Sequence, residues 1–420
     1  LYQKSTLDNG LRIISGNMPH THSICIGIFI GAGSRYESSE QAGVSHFVEH
    51  LCFKGTERRA TAKDIAEAIE GVGGILNGGT DRESTVYWVK VARPHFPVAL
   101  DVLVDMLHHS KFDPVEMEKE RKVIVEEINQ SLDSPHQRVG MLIDEVLWPE
   151  QPLGRDVAGT KETVSTIPRD LLLEYMSRQY TPSNTVIAIA GDISHDEVVS
   201  SLSQAFAHWV DGVPAPWYPA DDAQEEPRLR LEYRKTEQAH LCLALRGLSL
   251  LHPDRFILDL LSVVLGEGMS SRLFLELRER RGLVYEVYSY VNHFLDCGAA
   301  ITYAGMEPKH IGATVELILE ELQRLKDGVP EAELRKAKEL VKGRLLLRME
   351  DSRNISSWLG FQELLLNKIY TVDEVMSIVD AITSEDLKRV AVSLFHSNKL
   401  CLAVVAPLRS ERGLQQLLKL

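Results

Sequence analysis

The 420-residue chain contains no apolar run of eighteen or more residues, so its sequence offers no membrane-spanning helix. Cysteine is scarce. The five residues Cys25, Cys52, Cys242, Cys297 and Cys401 are odd in number, scattered and without Cys-x-x-Cys spacing. That excludes a disulfide framework and a thiolate zinc site, and it suits a reducing compartment. Positive charge is also in deficit: 46 Lys and Arg against 60 Asp and Glu leave a net charge of −14. This argues against nucleic acid as a partner and fits cationic substrates only weakly, because acidic surfaces more often serve solubility. The first ten residues, LYQKSTLDNG, read as a strand and a turn rather than as a signal or transit peptide. What remains, 44% hydrophobic and 25% charged, is ordinary globular composition at a length that predicts two or three domains.

Residues 211–227, DGVPAPWYPADDAQEEP, carry four prolines and five acidic residues with little apolar periodicity, and they read as an extended linker. They divide the chain into residues 1–210 and 228–420. Each part runs in the same order: apolar strand segments (ICIGIFIGAG; LCLALRGL), helical stretches, and one more strand (NTVIAIAGD; NKLCLAVVAP). Two anchors share one offset. Pro114 opens one helical stretch and Pro330, 216 positions on, opens another; Asp170 and Asp386 match at the same offset. Helix starts resemble one another, but two anchors at one offset predict an internal duplication. The second copy then serves as a control for the first.

The segment SHFVEH, residues 45–50, gives the first copy its chemistry. In a helix, His46 and His50 stand one turn apart on one face, with Glu49 beside them. An i, i+4 histidine pair alone is more often surface than ligand. Here the apolar residues Val44, Phe47, Val48, Leu51 and Phe53 surround it, and the counterpart FILDLLSVVLG (256–266) has neither histidine nor glutamate. Imidazoles and a carboxylate suit Zn²⁺, which takes three protein ligands in catalytic sites and keeps one position open. The acidic helical stretch 114–131 supplies candidates for the third. With Val123, Ile124 and Ile128 as its inward stripe, Glu120 and Glu127 border that stripe on one face. Glu126 points away, beside Lys122, as a surface ion-pair partner. Glu127 is the ligand candidate, and Glu120 a carboxylate that could orient a histidine. At the 216 offset they face Lys336 and Gly343, so all three polar features are lost together in the second copy.

These residues resemble the pitrilysin and mitochondrial processing peptidase family, the inverzincins, whose signature is His-x-x-Glu-His. HFVEHLCFKGTERR (46–59), GGILNGGTDRESTVYW (73–88), EKERKVIVEEI (118–128), LGRDVAGTKETVSTI (153–167), YTPSNTVIAIAGD (180–192) and GMSSRLFLELRERRGLVYEVYS (268–289) all carry the likeness. It extends over nearly the whole chain and is closest to the bacterial members and the catalytic mitochondrial subunit. It implies an α+β fold: a catalytic zinc-binding domain at 1–210, the 211–227 linker, and a homologous domain at 228–420 without metal ligands. Each would be a mixed, largely antiparallel sheet covered by helices. It also implies a zinc endopeptidase with one Zn²⁺ per chain. His46, His50 and Glu127 match the family's ligands, Glu49 its general base and Glu120 its supporting acid. Arg278 and Tyr285, seven apart, match a pair that the second domain brings to the substrate. On residue type alone, arginines 278, 280 and 281 would read as a solvated helix face. LNGGTDRESTVYW resembles the edge strand that pairs with an extended peptide, with Asn77 and Gly78 at its start. Gly78 and Gly79 would loosen that start.

Half-size members of the family form a clamshell from two chains, the zinc on one and the Arg/Tyr pair on the other. Because this chain carries both features, a homodimer is favoured over a heterodimer. The expected substrates are oligopeptides or unfolded, presequence-like segments, and the expected compartment is the bacterial cytoplasm, with the mitochondrial matrix as alternative. Two other readings stand beside the endopeptidase: a processing subunit active only in a heterodimer, and a non-catalytic scaffold of the same fold.

Overall fold

The computed structural model describes residues 2–221 and 223–420. They form two compact units, each built on one sheet.

The first sheet contains Tyr2–Thr6 (β1), Arg12–Asn17 (β2), Ser23–Ile30 (β3), Ile75–Thr80 (β4), Thr85–Ala92 (β5) and Thr185–Gly191 (β6), in the order β1-β2-β6-β3-β5-β4. Its central strands β3 and β6 are near-continuous apolar runs, as expected of strands covered on both faces. β2 and β6 are parallel, and every other neighbouring pair is antiparallel.

The second sheet contains Arg228–Tyr233 (β7), Ala239–Arg246 (β8), Val284–His293 (β9), Gly298–Met306 (β10) and Leu400–Ala406 (β11), in the order β7-β11-β8-β10-β9. Here β7 and β11 form the one parallel pair. With β1 set aside, the two orders superimpose strand for strand, and the parallel pair falls at the same place. A shared offset in the sequence thus corresponds to a shared topology.

The units do not follow the sequence halves 1–210 and 228–420. The first unit takes in residues 346–371, and the second takes in residues 130–155. Helix Ser352–Leu366 packs Ile355, Trp358 and Leu359 against Ile14, Phe29, Val186 and Ala188 of the first sheet. Its Gly360 is required there, because a Cβ would lie 2.2 Å from the Phe29 ring. In the second unit, helix Pro135–Leu147 packs Val139, Leu142, Ile143 and Val146 against Cys242, Ala244, Ile301 and Ala403. An amphipathic pattern specifies that a helix packs on a sheet, not on which sheet, so this exchange was not readable from composition.

The proline-rich stretch 211–227 has no helix or strand among its described residues, but it is anchored. In the first unit the Arg35 guanidinium stacks on Trp217 and donates to the Tyr218 carbonyl. In the second, Gln224 is buried and donates to the Leu400 carbonyl.

Candidate metal centre

Helix Val44–Cys52 carries the histidines. It begins after Gly43, whose left-handed φ of 96° and close approach to the Ala158 carbonyl leave no room for a side chain. The buried Glu37 carboxylate accepts from the backbone N–H groups of Gly43 and Ser45 at 2.9 and 2.8 Å, and from the Ser45 hydroxyl at 2.6 Å. It thereby satisfies otherwise orphaned donors and complements the positive end of the helix. Val44, Phe47, Val48 and Leu51 are buried, so the side chains of His46 and His50 emerge on the remaining face.

There they converge with the acidic helix Pro114–Asp133. His46 Nε2 and His50 Nε2 are 3.2 Å apart. The Glu127 Oε2 atom lies 3.9 Å from the first and 3.6 Å from the second. Two ligands each about 2.05 Å from a tetrahedral zinc would be separated by about 3.3 Å. The donor set therefore fits zinc after a shift of a few tenths of an ångström by the half-exposed Glu127. Partial exposure of all three side chains leaves a further coordination position accessible.

The electrostatics treat the two imidazoles differently. Burial, aided by His50, lowers the His46 pKa to about 4, which keeps that ring neutral. For His50, burial acts downward, but hydrogen bonding to Glu120 and the carboxylates of Glu127 and Glu49 more than offset it and raise the pKa. His50 Nδ1 lies 3.1 Å from Glu120 Oε2, leaving Nε2 to face the cluster. Glu120, itself buried, also pairs with Lys54 at 2.8 Å. Burial would raise the Glu120 pKa, but His50 and Lys54 together hold it below the usual range. Lys54 stands four residues after His50, as His50 stands four after His46. That spacing is the signal in the sequence that places Lys54 on the face of the two histidines.

Glu49 sits between this cluster and the sheet edge. Burial raises its pKa, with Glu127 acting in the same direction and His50 and Thr80 opposing. Thr80 Oγ1 donates to Glu49 Oε2 at 3.0 Å. Thr80 belongs to β4, the outermost strand, and only the tertiary fold brings it there. A Cβ on Gly78 would lie 3.0 Å from both Glu49 Oε1 and the Phe53 ring. Its missing side chain is thus what lets β4 approach the helix. Both glycines lie within the strand, whose register with β5 runs unbroken from Ile75 to Thr80. Asn77 is exposed, and its carboxamide oxygen accepts from the Gly78 N–H at 2.8 Å.

Two details of the acidic helix differ from the sequence reading. Val123 is 43% exposed; the buried positions are Met117, Glu120, Ile124 and Ile128. At about 100° per residue those four fall within one narrow stripe, and Val123 lies about 60° outside it, while Glu127 borders it next to Glu120. Glu126 is on the surface but accepts from Asn129, not from Lys122.

Arg278 and Tyr285 belong to the second unit. Arg278 lies in a π-helical stretch, Phe274–Arg280, and stacks over the Phe274 ring. Arg280 and Arg281 behave differently, both pairing with Glu276. Tyr285 is 40% exposed and donates to Gln238 Oε1 at 2.9 Å.

Comparison with known proteins gives one picture. The family described as insulinase (peptidase family M16) matches residues 12–161, and the peptidase M16 inactive domain matches residues 166–341. A Bacillus subtilis protein described as an uncharacterized zinc protease is 38% identical over 97% of this chain and 98% of its own length. A Mycobacterium leprae protein of the same description is 36% identical over 99% of this chain and 94% of its own. The structure of a protease from Helicobacter pylori superimposes with a TM-score of 0.92 at 23% identity, covering 97% of this chain and 99% of that one. A chain of Candida albicans complex III gives 0.86 at 20% identity over the full length of both.

Proposed function

The chain belongs to the M16 family of zinc peptidases, and from that premise we propose that it is an endopeptidase acting on oligopeptides and unfolded, presequence-like segments. The observation that carries this reading is the position of Glu49. It is a half-buried carboxylate next in sequence to one of the two clustered histidines and hydrogen-bonded to the outermost strand of a sheet.

His46 Nε2, His50 Nε2 and the Glu127 carboxylate would hold the zinc, with Glu120 orienting His50. When bound, the metal supplies the Lewis acidity that lowers the pKa of water and polarises a peptide carbonyl. Glu49 takes the proton of the attacking water onto a carboxylate oxygen, and the environment that raises its pKa helps it to retain that proton. Thr80 keeps the other oxygen oriented. Glu49 then delivers the proton to the departing amine nitrogen and returns to its carboxylate form. An extended peptide adds to β4 by backbone pairing at Asn77 and Gly78. Tyr285 and Arg278 bind the substrate carbonyl oxygen as charge develops on it.

The presence of both the metal cluster and the Arg/Tyr pair in one chain supports a homodimer with a closed chamber, each chain supplying Arg278 and Tyr285 to its partner's zinc. The five buried cysteines, none in a disulfide, suit a reducing cytoplasm. The test combines zinc quantitation with cleavage of an internally quenched unstructured peptide. One zinc per chain and hydrolysis abolished by EDTA are expected, and a zinc-free, inert protein would leave the scaffold reading instead. Mixing and re-pairing Glu49→Gln with Arg278→Ala, each inactive alone, should restore about a quarter of the sites under random exchange. No recovery would sink the homodimer.

A further inference from the structure

Tyr285 stands where the second sheet breaks its own register. Along β9, Glu286 pairs with Gly305 of β10 but Val284 pairs with Met306, so Tyr285 is the extra residue of a β-bulge. Strict alternation would put Tyr285 on the face of Val287 and Ser289, and Ser289 bonds to Ser262 of helix Arg255–Gly266. The bulge releases it from that face. Its hydroxyl instead reaches the side that carries Tyr303, whose ring packs against Tyr288 with centroids 4.9 Å apart.

Two further residues border that hydroxyl, and a third stands behind them. Gly305 makes room: a Cβ there would lie 2.5 Å from the Tyr285 oxygen and 2.9 Å from the Tyr303 oxygen. Tyr303, 2% exposed, points its own hydroxyl at the same gap. His240 Nδ1, also buried, lies 2.8 Å from the Tyr303 hydroxyl. Burial and the neighbouring His136 lower the pKa of His240, so its ring stays neutral and has one proton to give. The Tyr285 O–H donates to Gln238 Oε1, and the His240 tautomer with its proton on Nδ1 would donate to Tyr303 and leave the Tyr303 O–H available to turn toward Tyr285. A hydroxyl that accepts one hydrogen bond becomes a stronger donor of the next, and a substrate oxygen could take the place of Gln238.

We propose that Tyr303, held by His240 and given room by Gly305, is a positioning residue that aims the Tyr285 hydroxyl at the substrate carbonyl oxygen. This rests on the role assigned to Tyr285 above. An interaction gained only in the transition state appears in kcat and leaves KM in place. With the zinc-loaded full-length protein and a quenched peptide, Tyr303→Phe is therefore expected to lower kcat by roughly tenfold at constant KM. In a Tyr285→Phe background it should cause no further loss, because its effect passes through that hydroxyl. Gly305→Ala, which keeps every hydrogen-bonding side chain, should reproduce the kcat loss by displacing Tyr285. In protein labelled with ¹³C at tyrosine Cζ, the Tyr285 signal should move in Tyr303→Phe. The proposal is overturned if the losses of Tyr303→Phe and Tyr285→Phe multiply. It is equally overturned if Tyr285→Phe is slow while Tyr303→Phe keeps full kcat and an unmoved Tyr285 signal. If Tyr285→Phe itself keeps full kcat, the role of Tyr285 fails and the proposal falls with it. A Tyr285 signal that still moves in Tyr303→Phe would distinguish that outcome.

Discussion

Helix Val44–Cys52 and helix Arg255–Gly266 hold corresponding places in two duplicated units, and they resolve the same packing problem in opposite ways. At the 216 offset, His46, Glu49 and His50 correspond to Ser262, Leu265 and Gly266. Both helices approach an edge strand closely. In the first unit the strand gives way: Gly78 carries no side chain, and the helix is free to present Glu49 and His50. In the second the helix gives way, because a Cβ on Gly266 would lie 2.5 Å from Ser289 of β9. The lesson is that a close contact needs one small residue, and the side that provides it gives up its chemistry. Asp105 and Glu321, at the same offset, mark what is kept in both copies. Each is a buried acid bound by arginines, Arg58 and Arg59 in one unit and Arg272 and Arg324 in the other.

The contrast breaks most sharply at Glu49, the proposed base. Glu49→Gln should lower kcat by about 10²- to 10⁴-fold while zinc content and thermal stability stay as in the parent protein. A loss of zinc would instead assign Glu49 to the metal. Next comes Glu127, the proposed third ligand. Glu127→Gly, which copies Gly343, should weaken zinc binding by more than about 100-fold, measured by competition with a chelator, and hydrolysis should follow the metal. Gly343→Glu should leave zinc at one per chain, since Ser262 and Gly266 stand at the positions that correspond to the two histidines. Glu120→Lys, which copies Lys336, should weaken zinc binding by about 10- to 100-fold through misorientation of His50. A variant that binds zinc as tightly as the parent would remove Glu120 from the site.

Much of this was legible without coordinates, and the failures have physical causes. The duplication could be read because Pro114 and Pro330, Asp170 and Asp386 sit at local features, helix starts, that sequence encodes directly. His46, Glu49 and His50 could be read because helical spacing alone puts them on one face. Thr80 could not, since it reaches Glu49 from a strand that only sheet pairing positions. Val123 misled because an aliphatic residue near a buried stripe looks like part of it, while the true stripe includes the charged Glu120. The exchanged helices Pro135–Leu147 and Ser352–Leu366 escaped because their apolar faces fit either of two similar sheets. The Tyr285 bulge escaped because one inserted residue reverses a face without changing composition.

The smallest effect separates the two retained acids by their response to acidity. Burial would raise the Asp105 carboxyl, but Thr56, Arg59 and Arg58 hold it below the usual range. Its stabilising contribution is then complete above the ordinary value of about 3.9 and is lost as pH falls through the lower folded value. For Glu321 burial prevails, and Arg324 and Arg272 offset it only in part, so its folded pKa is raised. Its contribution is complete below the ordinary value of about 4.3 and is lost as pH rises through the raised one. Asp105→Asn should therefore cost about 1 to 2 kcal/mol near neutrality, discounted because Arg58 is half-exposed, and the cost should shrink below about pH 4. Glu321→Gln should be within about 0.5 kcal/mol of the parent near neutrality, on the stabilising side, with that advantage fading as pH falls toward 4. Urea unfolding across this range reads both slopes. Slopes of the same sign would mean that the two units hold their shared acid by the same balance of burial and pairing, and that the copies diverged only at the metal.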